Sequence, residues 1–127
     1  MHKIIESIQE CTLKIDMSEC NWGEGVALCG LNHSTKRFPN KEYMSFLSSW
    51  VKKGLEDEKF KFTVNNSIPF VGMGEVYKST ADKKYLDFMV KQAEYLICDA
   101  PRLKNGAIIH TAPYAKFGRQ MWADTVF

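Results

Sequence analysis

The chain carries almost no excess charge. Its formal net charge is +2, with acids and bases interspersed, so it lacks the basic footprint of a nucleic-acid binder. It also lacks any apolar run near the roughly 20 residues that cross a bilayer. No nucleic-acid partner and no membrane partner are therefore expected. Its start, Met-His-Lys-Ile-Ile-Glu, holds an acid where a signal peptide would have its apolar core, and the expected location is the cytoplasm. Four cysteines, Cys11, Cys20, Cys29 and Cys98, form no C-x-x-C pair and follow no metal-ligand grammar. In a reducing compartment they read as small buried hydrophobes. No metal ion and no cofactor are implied.

What is present is the composition of an ordinary globular domain, 45% apolar and 25% charged, in a length that suits one domain. Ile4, Ile5, Ile8, Cys11 and Thr12 recur at helical spacing and predict an amphipathic first helix. Asp16, Ser18 and Asn21 interrupt it, and a second helix begins near Trp22 with Val26, Ala27, Leu28 and Leu31. Asn40 is the expected cap of a third, whose buried stripe is Tyr43, Phe46, Leu47, Trp50 and Val51. A fourth starts after Asn65-Asn66-Ser67 with Pro69 in its first turn, where a missing N–H does no harm. Asp82 caps a fifth, with Tyr85, Leu86, Met89, Val90, Ala93 and Leu96 facing inward. Pro101 and Asn105-Gly106 then turn the chain, 107–110 reads as a short β-like segment, and a helix resumes at Arg119.

Two stretches repeat. Lys41–Leu47 aligns with Lys83–Met89 at an offset of 42 residues, and Ser34-Thr35 returns as Ser79-Thr80 at an offset of 45. Helical hairpins at this period suggest helical repeats or an α/α toroid. A stacked or closed array needs a polar cap on its last unit, yet the chain ends in Met121-Trp122-Ala123-Asp124-Thr125-Val126-Phe127, an apolar helix start without a stop signal. The expectation is a fragment or truncated product that self-associates through uncovered apolar faces.

With helices alternating between an outer and an inner layer, the inner ones begin at Asn21-Trp22-Gly23-Glu24-Gly25, Asn65-Asn66-Ser67-Ile68-Pro69 and Arg119-Gln120-Met121-Trp122-Ala123-Asp124. Helix starts present unpaired N–H groups to polar ligands. Aromatic faces pack on sugar rings, and carboxylates and amides bind hydroxyls. Trp22 reads equally as core or as a sugar platform, Asn65 and Asn66 as helix caps or as ligands, and Glu24 as a first-turn dipole partner.

Trp22-Gly23-Glu24-Gly25, Val64-Asn65-Asn66-Ser67-Ile68-Pro69 and Gln120-Met121-Trp122-Ala123-Asp124-Thr125 resemble, in order and spacing, successive motifs of glycoside hydrolase families 88 and 105. These are the unsaturated glucuronyl and unsaturated rhamnogalacturonyl hydrolases of pectin-type breakdown. The resemblance implies an all-α fold, with 1–127 as the N-terminal portion, about half, of a single (α/α)6 toroid domain. It also implies a substrate: an oligosaccharide ending in a uronyl residue with a C4=C5 double bond. One Asp protonates C4 and helps water attack C5; the resulting hemiketal rearranges and the aglycone leaves. By motif position that acid is Asp124, and burial beside aromatics would hold it protonated. Trp22, Asn65, Asn66, His110 and Trp122 are the implied substrate-binding residues. The turn before the fourth helix often supplies a second Asp, and this chain has Asn65 there; the turn resembles the Asn-Thr-Thr-Ala-Pro of some relatives. A non-catalytic helical-repeat binding module and an inactive truncated remnant are the alternative readings.

Overall fold

Asn21 organises the start of the longest helix. Its Oδ1 accepts the N–H groups of Gly23 at 3.0 Å and Glu24 at 3.4 Å. The Glu24 carboxylate accepts the Asn21 N–H at 2.9 Å in return, closing a capping box. The computed structural model describes residues 2–109, and within it this helix, α2, spans Trp22–Arg37. The other helices are α1 (His2–Leu13), α3 (Tyr43–Glu56), α4 (Pro69–Thr80) and α5 (Lys83–Glu94). A 3₁₀ turn, Asn65–Ser67, leads into α4, and a π-helical turn, Tyr95–Asp99, continues α5. Among the described residues the β pairing is a single antiparallel bridge between Arg102 and Ile108. The fold is all-α. No described helix is long and apolar enough to cross a membrane.

Local chemistry sets most of the helix ends. Pro69 occupies the first turn of α4, and Asp82 caps α5 by accepting the Lys84 N–H at 3.1 Å. Asn40 acts differently from the expectation. Its Oδ1 takes the Glu42 N–H at 2.9 Å in a turn before the helix, so Glu42 stands at the cap of α3 without a side-chain bond. Asn105-Gly106 forms the expected turn, with Gly106 at a φ of 87°. The bridge at Ile108 is what the β-like segment amounts to as far as Ile109. The helix expected from Arg119 lies outside the described residues.

α2 and α4 pack on one another at the centre; α1 lies against α2, α3 against both, and α5 against α4. Leu28, Leu47, Val51, Met73 and Val76 form the best-buried part of the core. Trp50 joins it and donates its indole N–H to the Met17 carbonyl. Phe60 meets Trp50 edge-on at 5.3 Å, and Phe62 packs against Phe88 at 5.2 Å and Tyr95 at 6.0 Å. These rings pin the segment after α3 and so fix where the chain enters the 3₁₀ turn.

The buried faces depart from the apolar stripes in three places. On α1, Ile4 and Ile8 are exposed while Gln9 is buried, because the Gln9 amide donates to the Ser34 hydroxyl and the Phe38 carbonyl, both at 3.0 Å. On α5, Val90 and Ala93 face solvent while Gln92 is buried. On α2, Val26 is exposed, since the packed face is set by Gly25, Leu28, Leu31 and Asn32. The cysteines also divide: Cys20 is buried and Cys29 half-buried, but Cys11 and Cys98 are exposed.

Candidate functional site

Gly25 lets two helix starts meet. A Cβ built on it would lie 2.7 Å from Pro69 Cδ and 2.9 Å from Ile68 Cγ2, closer than real side-chain atoms approach. Only a residue without a side chain allows the first turn of α2 to rest on the first turn of α4. The Asn21–Gly25 start and the turn at Asn65–Ser67 therefore stand side by side.

Within the Trp-Gly-Glu-Gly motif the residues have separate tasks. Glu24 is occupied structurally: beyond the capping box, its other carboxylate oxygen accepts the Glu19 N–H at 3.1 Å. Each of its two carboxylate oxygens is thus engaged by one backbone amide. Gly25 makes the close approach. Trp22, the first residue of α2, is 48% exposed, so its indole is presented rather than packed. Val26, one turn along the same side of α2, and Val71 of α4 are exposed as well. They add apolar surface near the helix starts.

At the two starts that lie within the described residues, part of the expected set of unpaired N–H groups is taken up by the chain itself. Asn21 takes two amides of α2 with its side chain, and its carbonyl takes the Gly25 N–H at 3.0 Å. In the turn before α4, the Asn66 N–H donates to Thr63 Oγ1 at 3.2 Å and the Ser67 N–H to the Val64 carbonyl at 3.1 Å. These five amides are therefore engaged within the rim, and the side chains of Trp22 and Asn66 stand beside them.

The structure thus brings the start of α2, which Trp22 opens, beside the turn that carries Asn65 and half-buried Asn66. The backbone of Asn65 opens the turn; its side chain lies outside what is described. His110, Trp122 and Asp124 lie outside the described residues. The cleft lined by Met17, Cys20, Trp50, Lys53 and Lys59 holds neither Trp22 nor Asn66. Cys20, next to the α2 cap, is no nucleophile: burial first, and the nearby Glu24 carboxylate second, push its thiol up to about 12.

One residue at the rim escaped the sequence reading. Gln92 of α5 donates its amide to the Thr63 carbonyl at 3.1 Å and the Ser67 hydroxyl at 3.2 Å, gripping the turn from behind. The signal was available: position 92 continues the inward register of Tyr85 and Met89 with a polar residue.

Comparison with known proteins places the chain in context. Glycosyl Hydrolase Family 88 matches residues 1–127. The unsaturated rhamnogalacturonyl hydrolase YesR of Bacillus subtilis (strain 168) is 33% identical over 129 residues, covering 97% of this chain and 36% of that protein. The chain thus spans little more than a third of the length of this relative. No solved structure matches.

Proposed function

The chain belongs to Glycosyl Hydrolase Family 88, and from that premise we propose that the protein is a glycoside hydrolase acting on oligosaccharides that end in an unsaturated uronyl residue, of rhamnogalacturonyl type. The observation that carries the reading is the family match over residues 1–127. The half-exposed Trp22 at the start of α2, a start that packs against the turn leading into α4, supports it as a sugar-facing wall. In this reading residues 1–127 contribute the N-terminal portion of an (α/α)6 toroid, and α2 and α4 are two of its inner helices.

The proposed reaction is hydration of the C4=C5 bond. Asp124 gives its proton to C4 as water adds through its oxygen to C5, and the water's proton returns to the carboxylate. The product at C5 is a hemiketal, which opens and releases the aglycone as an alcohol. One carboxyl group serves both steps, so the paired carboxylates of ordinary glycosidases are not needed. Trp22 and Trp122 would hold the sugar ring by its C–H faces, and Asn65, Asn66 and His110 would bind its hydroxyl and carboxylate groups. An amide at Asn65 holds a hydroxyl without repelling charge on the acid.

The test is to follow the ultraviolet absorbance of the unsaturated acid with full-length protein, using unsaturated rhamnogalacturonyl and unsaturated glucuronyl disaccharides and their saturated counterparts. Loss of absorbance with release of the aglycone from an unsaturated substrate alone is the expected result. Trp22→Ala should then raise KM by about 2- to 13-fold, the worth of an aromatic contact of roughly 0.5–1.5 kcal/mol. No consumption of either unsaturated disaccharide would overturn the proposal.

A further inference from the structure

Gln92 serves neither the hydrophobic core nor the proposed chemistry. It is 4% exposed on α5 and reaches across to a turn far away in sequence. Its two amide bonds fall on Thr63 and Ser67, the residues that bracket Asn65-Asn66. Those two are tied to each other as well: the Ser67 hydroxyl donates to the Thr63 carbonyl at 3.2 Å, while Thr63 Oγ1 receives the Asn66 N–H. The Thr63 carbonyl therefore accepts two bonds, and losing Gln92 would still leave it one.

The other end of the side chain is unsatisfied. Gln92 Oε1 is buried and has no hydrogen-bond donor among the described residues. A buried acceptor without a partner costs stability, and methionine, of similar length and shape, would fill the space without that cost. The position holds a residue that packing alone does not favour, and its amide goes to the turn.

We propose that Gln92 is a positioning residue for the substrate-binding turn: it holds Thr63–Ser67 in one conformation, so that Asn65 and Asn66 keep their register with Trp22. The proposal rests on reading that turn as part of the substrate site. Gln92 is not placed in contact with the substrate and acts through the turn.

The test uses full-length protein carrying Gln92→Met, with Ser67→Ala as a second variant that removes one of the two acceptors. Three properties are read: the melting midpoint, peptide-resolved hydrogen exchange over residues 63–67, and KM and kcat on the unsaturated oligosaccharide. The expected result for Gln92→Met is an unchanged or raised midpoint, faster exchange at Asn66 and Ser67, and a severalfold rise in KM with little change in kcat. Ser67→Ala should show the same changes in weaker form. A lowered midpoint with unchanged exchange and unchanged KM would mean that Gln92 only packs, and would overturn the proposal. Faster exchange with unchanged KM, while Asn66→Ala raises KM, would overturn it too. Were Asn66→Ala itself without effect on KM, the substrate reading of the turn would fall, whereas the exchange data would still report whether Gln92 holds it.

Discussion

Gly25 of α2 and Pro69 of α4 pack so closely that a methyl group on the first would stand 2.7 Å from the ring of the second. This contact explains why the Trp-Gly-Glu-Gly motif ends in glycine. It also makes the alignment of the two helix starts sensitive to one carbon atom. Gly25→Ala gains about 1 kcal/mol of helix propensity, against an overpacking cost of roughly 1–3 kcal/mol at a site where one neighbour is a rigid proline ring. The expected outcome is a net loss of about 1 kcal/mol in chemical denaturation. An unchanged or more stable variant would show that the helices separate freely.

The exposed and buried cysteines should separate by reactivity. Cys11 and Cys98 are exposed, whereas Cys20 is buried and its thiol is raised to about 12 by burial and by Glu24. A thiolate is the reactive form, so alkylation of native protein should label Cys11 and Cys98 and spare Cys20 until denaturant is added. Peptide mapping of the alkylated protein reads this directly. Early labelling of Cys20 would contradict its placement.

Glu75 couples α4 to α2. Its carboxylate lies 3.0 Å from Lys78 and 3.6 Å from Lys36, and the Lys78 hydrogen bond, opposed by partial burial and aided by Lys36, holds its pKa below the ordinary 4.5. A depressed carboxylate stabilises the fold above its unfolded pKa, and that contribution fades as the pH falls through the native value. Glu75→Gln should therefore cost about 0.5–1 kcal/mol near neutral pH. The gap between variant and parent should begin to close as the pH drops below the ordinary 4.5 and vanish once it has fallen through the lower native value. Denaturant melts across the acid limb check this, and a gap that persists at low pH would rule out charge as its cause.

Ala81 ends α4 in the left-handed region, at a φ of 54°. A side chain there is strained and glycine is not. Ala81→Gly should stabilise the fold by roughly 0.5–1 kcal/mol, even though glycine widens the unfolded ensemble. A lowered melting midpoint would contradict the assigned conformation.

Helix starts were legible in the sequence because their chemistry is local. Asn21 and Asp82 accept amides within a few residues, Pro69 suits a first turn because it has no N–H to pair, and all three stand at or beside the helix starts the sequence predicted. Faces were less legible. An apolar stripe identifies the buried side only where apolar contact does the burying. Gln9 and Gln92 are buried through bonds to Ser34, Phe38, Thr63 and Ser67, partners at least 25 residues away. Ile4, Ile8 and Val90 turn outward on the same helices. Asn40 was misplaced because a short polar side chain can satisfy a turn as readily as a helix. Of the candidate site, the pairing of the α2 start with the turn into α4 follows from the order of helix starts. The Gly25 contact depends on how the helices cross, which no local pattern encodes; the register marks Gln92 as inward-facing but does not name Thr63 and Ser67 as its partners.

The most direct test of the account is the turnover of an unsaturated rhamnogalacturonyl disaccharide by full-length protein carrying Asp124→Asn. Asparagine keeps the shape of the side chain and cannot deliver the proton to C4. The expected result is a fall in kcat of about 10²- to 10⁴-fold, the usual worth of a general acid, with KM little changed. Consumption of the substrate at the parent rate would contradict it.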